Sequence, residues 1–539
     1  MKHLAGRNVL ILGLGASGLA MARWCVRNGA RVQVWDSRSD PPMATALAQA
    51  CPGVSVLSGE LDPQMLLDLH LVLKSPGLSP RDDRLQAFLD AAQADRVAVA
   101  GELGLFAQAL TDLANERDYR PRVVAITGTN GKTTTTSLTG LLVERCGLTT
   151  AVAGNIGPTL LDTLSQALDD AQGLPQVWVL ELSSFQLDGV QGFEPDVATV
   201  LNLTQDHLDW HGDMAAYARA KARIFGPAPR TDEDGTTVLS RTWMVINRDD
   251  PAVAAMEPLP IPVKGVRGRP ARPLTRQVTR FGLDAPQRPG DFGLIIESGM
   301  AWLVRAMPEE EDASRARKGD AEEELHLQRL MPADALRIRG RHNAANALAA
   351  LALATAIGCP MAPMLHGLRE YAGEPHRVSF VARIGDVEAY DDSKGTNVGA
   401  TVAAILGLGA DREPARLVML MGGDGKGQDF TPLREPLQRH ARAVALYGRD
   451  AGRMAQAIGA ASGESSPESE SESVLDCPVA EHADLVAATR WAFEQARPGD
   501  AVLLSPACAS LDQFRDYRHR AEVFIAEVQA WAREQGEIA

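Results

Sequence analysis

The chain has 539 residues, 45% of them hydrophobic, and a formal net charge of −15. That length exceeds what one hydrophobic core organises and predicts roughly three domains, each able to bury a core of its own. The acidic balance, with no basic stripe interleaved with aromatic residues, argues against nucleic acid as a partner.

In chain order, the start Met1-Lys-His-Leu-Ala-Gly-Arg7 lacks the apolar stretch of a secretion signal. Val9–Leu12 is a short apolar run followed by Gly13-x-Gly15-x-x-Gly18, and the next run, Val32–Trp35, ends at Asp36. This is the dinucleotide-binding fingerprint, which read alone predicts NAD. Physically it says that a pyrophosphate can sit on a helix N-terminus and that Asp36 can hydrogen-bond a ribose or another polar group. A nucleotide-sugar diphosphate meets the same description, and so does a purely structural glycine turn.

Runs at Val97–Ala100 and Val123–Ile126 continue the rhythm of parallel α/β units. The second leads through Thr127-Gly-Thr-Asn-Gly-Lys-Thr-Thr-Thr135 into a predicted helix, an arrangement that wraps a polyphosphate. Gly128 and Gly131 let the backbone turn with its N–H groups inward around Thr129 and Asn130. Lys132 supplies a point charge for the β/γ-phosphates, and Thr133, followed by Thr134, offers a hydroxyl to Mg²⁺. The first glycine of the usual eight-residue pattern is replaced by Ile126, and Thr133 to Thr136 also read as helix caps.

Further runs at Val177–Leu180, Val197–Leu201, Trp243–Ile246, Leu417–Met421, Ala443–Leu446 and Ala501–Leu504 predict a repeatedly wound α/β architecture. Glu181 ends the first of these, where open sheets place their ligands, and suits either Mg²⁺ binding or a solvated strand end. His207 suits a second metal ligand or a structural histidine. On its residues alone, Lys221 is a solvated helix cation or a phosphate contact. The alanine-rich stretch from Ala344 to Ile357, stopped by Gly358 and Pro360, predicts a buried helix rather than a membrane span. It is headed by His342-Asn343-x-x-Asn346, whose amides cap it or reach a nucleotide.

The segments Asp391–Asn397, Gly422–Gln428 and Ser505–Phe514 each place polar and turn residues after apolar runs, and together suggest a second substrate site. Glu309–Glu324 and Ser462–Ser473 read as surface insertions without chemistry. Domain boundaries are expected near residue 113 and at Gly373-Glu-Pro375. Six scattered cysteines include no Cys-x-x-Cys pair, so neither a zinc site nor a disulfide framework is indicated and a reducing cytoplasm is expected.

These blocks, in this order and over almost the whole chain, resemble the Mur ligases of bacterial cell-wall synthesis. Ile126–Thr135, Gly154–Gly157, Leu180–Leu187, Asn202–Asp209, His342–Asn346, Pro375–Arg377, Asp391–Asn397, Gly422–Lys426 and Ser505–Phe514 carry the likeness. The Glu181, Lys394 and Ser505 blocks favour the D-glutamate-adding kind, and the departures are the two insertions and Gly395. The resemblance implies an α/β protein of three domains. These are a Rossmann-like N-terminal domain (1–113) for the UDP-sugar, a central P-loop ATPase domain with a mainly parallel sheet (114–373), and a Rossmann-like C-terminal domain (374–539) for the amino acid.

The implied reaction is ATP-dependent addition of D-glutamate to UDP-N-acetylmuramoyl-L-alanine through an acyl phosphate, by a cytoplasmic monomer with no membrane partner. Ser17, Asp36, Arg38 and Ser75 would hold the uridine diphosphate, and Asn155 and Gln186 the sugar. Asn343, Asn346, Arg377 and Asp392 would join the phosphate loop around ATP. Lys394, Thr396, Ser505 and Phe514 would hold D-glutamate, with Lys426 there or at the domain seam. One Mg²⁺ would be held by Thr133 and Glu181, a second by Glu181, His207 and Lys221. Since an ammonium cannot ligate a cation, the resemblance implies that Lys221 carries a CO₂-derived carbamate. Two rivals are a nicotinamide-dependent oxidoreductase, which leaves Gly131-Lys-Thr133 unexplained, and a folylpolyglutamate synthetase-like ligase, which differs in its acceptor. A non-enzymatic nucleotide switch would not require the Lys394 and Ser505 loops.

Overall fold

The computed structural model describes residues 3–171, 173–232, 237–262, 273–308, 325–410, 412, 414–460 and 475–537. Both expected insertions, Glu309–Glu324 and Ser462–Ser473, lie outside the described residues. The rest forms three α/β units with separate sheets; one apolar cluster runs from the first unit into the second, and the third unit packs cores of its own.

The first sheet holds β1 (Asn8–Leu12), β2 (Arg31–Trp35), β3 (Ser55–Leu57), β4 (Leu71–Lys74) and β5 (Ala98–Ala100), all parallel, in the order β3-β2-β1-β4-β5. The order reverses between β1 and β4, so a crevice opens outside their carboxyl ends, where Gly13 and Ser75 lie. The helix Ala16–Arg27 starts there with Gly15 as its N-cap.

The second sheet is the largest. Its strands are β6 (Arg122–Thr127), β7 (Thr150–Gly154), β8 (Val177–Glu181), β9 (Val197–Val200), β12 (Trp243–Asn247), β13 (Val278–Phe281), β14 (Phe292–Glu297), β15 (Met300–Pro308) and β16 (Leu325–Pro332). They run in the order β16-β15-β14-β13-β12-β9-β6-β8-β7, while β10 (Arg230–Thr231) and β11 (Thr237–Val238) pair separately. Central strands β8 and β9 are buried at every residue, which is why they read as continuous apolar runs. The antiparallel pairing of β14, β15 and β16 is an addition the sequence pattern does not announce.

The third sheet has the order β17-β18-β22-β19-β20-β21, from β17 (Ser379–Ile384), β18 (Val387–Asp391), β19 (Leu417–Gly422), β20 (Ala441–Tyr447), β21 (Val479–His482) and β22 (Ala501–Leu504). Only β17 is antiparallel. Residue 113, the expected first boundary, lies inside the helix Glu102–Arg117.

Gly18 shows why the first turn needs glycine. A Cβ there would lie 2.0 Å from the carbonyl oxygen of Gly13, a backbone atom that cannot swing aside. Gly18→Ala should therefore destabilise the protein by roughly 1–3 kcal/mol, the usual cost of overpacking. A thermal melt within error of wild type would contradict this reading.

Candidate active site

The phosphate loop follows β6 and is closed by left-handed glycines. Gly131 is the N-cap of the helix Lys132–Arg145 at φ +79°, and Gly128 stands at φ +156°. The Lys132 ammonium curls back over the loop, donating to the carbonyls of Gly128 at 3.0 Å and Thr129 at 2.8 Å. The loop is braced from the β9 side, since the Asn130 amide donates to Asn202 Oδ1 at 2.8 Å. Thr129 Oγ1 lies 3.1 Å from the Tyr217 hydroxyl. The alternative capping role for Thr133 to Thr136 is not what the fold uses. All four are buried within the helix, and Thr133 donates instead to Glu181.

Glu181 ends β8, 1% exposed. Its two oxygens accept from Thr133 Oγ1 and from Asn155 Nδ2, both at 2.9 Å. Gly154 makes this possible, because a Cβ there would stand 2.1 Å from the Glu181 carbonyl. Lys221 is equally deep, donating to Gly128 O at 2.9 Å and Thr127 Oγ1 at 3.2 Å, with its Nζ 4.7 Å from the centre of the Tyr217 ring. Burial, and then the neighbouring Lys132 charge, hold its pKa well below the usual lysine range. Burial also lowers Lys132, with Glu181 and Asp206 opposing.

His207 takes a left-handed backbone (φ 52°), packs edge-on against Phe185, and keeps its Nε2 3.5 Å from an Asp206 oxygen. Among the described residues no trio of His, Cys, Asp or Glu gathers as a metal site. The adjoining carboxylate and hydroxyl of Glu181 and Thr133 are nevertheless hard oxygen donors of the kind Mg²⁺ takes together with water and phosphate.

The third unit meets this loop directly. Arg377 donates from Nη2 to Thr133 Oγ1 at 2.7 Å, and Asn397 Nδ2 donates to Asn130 Oδ1 at 3.1 Å. Between the units lies a cavity of about 310 Å³ lined by Asn130, Thr134, Asn343, Asn346, Arg377 and Lys394, among others. Asn343 Nδ2 donates to Arg339 O at 2.8 Å, and Asn346 Nδ2 donates to Asn343 Oδ1 at 3.1 Å. The helix Arg341–Ala356 begins after Gly340, so the asparagines sit inside its first turns rather than at its cap. Asp392 is buried with its pKa pushed up to about 7 by desolvation, which the Ser505 hydrogen bond opposes. The Lys394 ammonium lies 3.8 Å from the centre of the Tyr517 ring, and burial followed by Arg377 lowers it to about 8. The Thr396 amide donates to the Lys394 carbonyl at 2.9 Å, closing the turn.

Four residues expected at ligands meet groups of the protein itself. Ser505 is fully buried, with its hydroxyl 2.7 Å from Asp392 Oδ2 and 3.0 Å from Thr401 Oγ1, where it orients the acid. Phe514 packs against the apolar core of the third unit, and the ring that meets Lys394 is Tyr517. Lys426 lines a separate cleft with Asp206 and His207. Asp36 accepts from the Leu14 amide at 2.7 Å and from the Arg38 side chain at 2.8 Å, which holds its pKa down at about 2, Arg38 being the main cause. Its carboxylate fixes the glycine turn and holds Arg38 beside it.

Ser17 Oγ donates to Glu102 Oε2 at 2.5 Å, and Ser75 Oγ donates to Gly13 O at 2.7 Å. Gln186 and Ser183 form a reciprocal cap on the short helix Ser184–Leu187. Sequence reasoning passed over Lys74, Glu102, Tyr517 and Arg520. The last is wholly buried on the helix Tyr517–Glu534 and donates to Ser393 Oγ and O and to Cys508 O. None of these four carries a spacing signal, and only the tertiary fold brings them to the turns.

Residues 7–100 match the Mur ligase MurD-like N-terminal domain, residues 126–260 the Mur ligase middle domain, and residues 376–508 the Mur ligase glutamate ligase domain. The chain is 54% identical to the UDP-N-acetylmuramoylalanine–D-glutamate ligase of Albidiferax ferrireducens, over 98% of this chain and 97% of that protein. The protein of the same name in Polaromonas sp. is 50% identical over 100% of both chains, and that of Burkholderia thailandensis 53% identical over 98% of each. Among solved structures, MurF ligase from Thermotoga maritima in complex with ADP aligns with a TM-score of 0.54 at 15% identity, over 98% of this chain and 100% of that one. UDP-N-acetylmuramate–alanine ligase from the same organism aligns at 0.52 and 17% identity, over 97% and 100%. These two likenesses concern the fold alone. With half or more of its residues shared with such relatives across nearly its whole length, the chain belongs to the Mur ligase family.

Proposed function

We propose that the protein is an ATP-dependent ligase that joins the amine of D-glutamate to the carboxylate of UDP-N-acetylmuramoyl-L-alanine in peptidoglycan precursor synthesis. The observation that carries this reading is the end-to-end identity with relatives of that name. It is supported by the convergence of Lys132, Thr133 and Glu181 from one unit with Arg377 and Lys394 from another.

A carboxylate is inert to amines until one of its oxygens becomes a good leaving group. In the proposed reaction the substrate carboxylate attacks the γ-phosphorus of ATP and ADP departs. The amine nitrogen then attacks the acyl carbon, the C–O bond to phosphate breaks, and the nitrogen loses a proton. Both reactants are anions, so local cations must lower their repulsion. Lys132 and the inward N–H groups at Gly131 do this for the phosphates. Thr133 and Glu181 would hold one Mg²⁺, and Glu181, His207 and Lys221 a second. Bound Mg²⁺ supplies Lewis-acid polarisation and neutralises charge on the phosphoryl group.

Lys221 serves as a metal ligand only as a carbamate, and an amine kept from ionising is the form that adds CO₂. Thr134, Asn343, Asn346, Arg377 and Asp392 surround the nucleotide in this reading. Ser17, Asp36, Arg38 and Ser75 take the UDP moiety, Asn155 and Gln186 the sugar, and Lys394, Thr396, Lys426, Ser505 and Phe514 serve D-glutamate. The assignment carries with it a cytoplasmic monomer. Among the described residues no helix is long and apolar enough to cross a membrane.

Phosphate release in the presence of ATP and UDP-N-acetylmuramoyl-L-alanine should depend on D-glutamate and not on L-glutamate, L-lysine or meso-diaminopimelate. Equal turnover with an L-amino acid would overturn the assignment. Glu181→Gln should lower kcat about 100-fold or more while leaving the melting transition in place. Lys221→Ala should be inactive and regain turnover with short carboxylic acids; an active, unrescued variant would remove the carbamate from the scheme. The lowered pKa of Lys394 sets a pH limit. Its ammonium is present below about 8 and lost above, so KM for D-glutamate should rise on the alkaline side, and a flat KM from pH 7 to 9 would exclude the contact.

A further inference from the structure

A second cavity, of about 420 Å³, lies between the first and second units, lined by Lys74, Pro76, Glu102, Phe185, Gln186 and Asp188, among others. Two of its walls lead to the residues assigned to the UDP-sugar. Glu102 accepts the Ser17 hydroxyl at 2.5 Å, and Gln186 is itself one of those residues. Lys74 ends β4, immediately before Ser75, whose hydroxyl bonds Gly13 O at 2.7 Å. Its ammonium donates to the Leu78 carbonyl at 2.8 Å. The Leu78 side chain lies 3.0 Å from where a Gly13 Cβ would stand, so the lysine is one residue removed from the glycine turn.

Lys74 stands apart from the other cations of this crevice. The turn Gly13–Gly18 has no basic residue. Arg38 grips Asp36, and Arg81 donates to the His211 carbonyl. Lys74 has no carboxylate within ion-pair distance among the described residues, and the acid that faces it, Asp188, is 3.4 Å from Arg223. A half-buried ammonium with one acceptor among the described residues has N–H groups to spare. Its Nζ lies 5.4 Å from the centre of the Trp210 ring, a residue of the second unit whose own buried Nε1 has no partner among the described residues.

We propose that Lys74 is a further substrate-binding residue, receiving the diphosphate of the UDP-sugar across the mouth of the glycine turn. This rests on the D-glutamate ligase reading above. The diphosphate is favoured over the alanyl carboxylate because Lys74 belongs to the first sheet beside Gly13, whereas the carboxylate has to reach Lys132 beyond β6. A helix N-terminus alone offers partial charge; a full ammonium from the strand end paired with Leu12 adds selectivity for an anion.

Burial lowers Lys74 to about 8, with Asp188 opposing. The charged groups around it are Asp188 and Arg223 beyond the Ser184–Leu187 helix, Glu102, Arg81, His211 and His3. Its cation is present below about pH 8 and lost above, so an anion held by it binds more weakly as pH rises through that range.

The test is calorimetric titration of UDP and of uridine into the full-length protein, as wild type, Lys74→Met and Lys74→Arg, at pH 7 and pH 9. Lys74→Met should weaken UDP about tenfold or more at pH 7 and leave uridine within about twofold, since the lost contact is a charge-assisted hydrogen bond. Lys74→Arg should bind UDP within a few-fold of wild type and remove the weakening between pH 7 and 9. Unchanged UDP affinity in Lys74→Met, or equal loss of UDP and uridine, would overturn the proposal. If Lys74→Met does not fold, the pH profile of Lys74→Arg decides: one that still weakens like wild type overturns it. Wild type that binds no UDP at all would instead sink the UDP-sugar reading.

Discussion

The Glu181 carboxylate, sealed from water at the end of β8, sets the terms for the centre of this protein. A buried carboxylate is costly unless donors and cations surround it. Here a hydroxyl and an amide supply the hydrogen bonds, both at 2.9 Å, and Lys132 comes close enough to feel its charge. The end of β7 can lie against Glu181 only because Gly154 has no side chain, and the phosphate loop can pack on Leu201 only because Gly128 has none. The loop, the acid and the two lysines are therefore one electrostatic unit, in which a change at any member alters the charge seen by the others.

That unit is completed from outside its own sheet. Arg377 and Lys394 arrive from the third unit, and Asn397 touches Asn130 at the tip of the loop. Cations brought across a seam lower the repulsion between anionic reactants only when the seam is closed. In the proposed reaction the same closure would keep water from the acyl phosphate. Charge placement and solvent exclusion are thus served by one set of contacts.

The strands were legible wherever both faces are buried, as at Val177–Leu180 or Ala501–Leu504, because such runs are uninterrupted by polar residues. The glycine turns were legible because backbone geometry and close approach demand that residue type. Side-chain direction was not. Ser505 and Phe514 lie in the expected loop, yet Ser505 turns inward to Asp392 and Phe514 joins a core. Tyr517 takes the position over Lys394 from the first turn of a helix whose pattern reads as ordinary amphipathic sequence. Lys74 carries no signal in the sequence, because Trp210, whose ring it meets, lies far off along the chain. The edge strands β14 to β16 escaped notice because antiparallel pairing with one wet face leaves a broken hydropathy pattern.

Glu102 has an implication for how the molecule can be divided. One of its oxygens accepts from Ser17 in the first unit, and the other accepts at 3.1 Å from the Leu161 amide, at the start of a helix of the second. Excising the second unit by cutting near residue 113 would strip the amide of its acceptor and bare the apolar face on which Leu160 and Leu161 rest. Tolerance to change on either side of this carboxylate is shared property: truncations, chimaeras and transplanted domains have to carry the acid along with both of its clients.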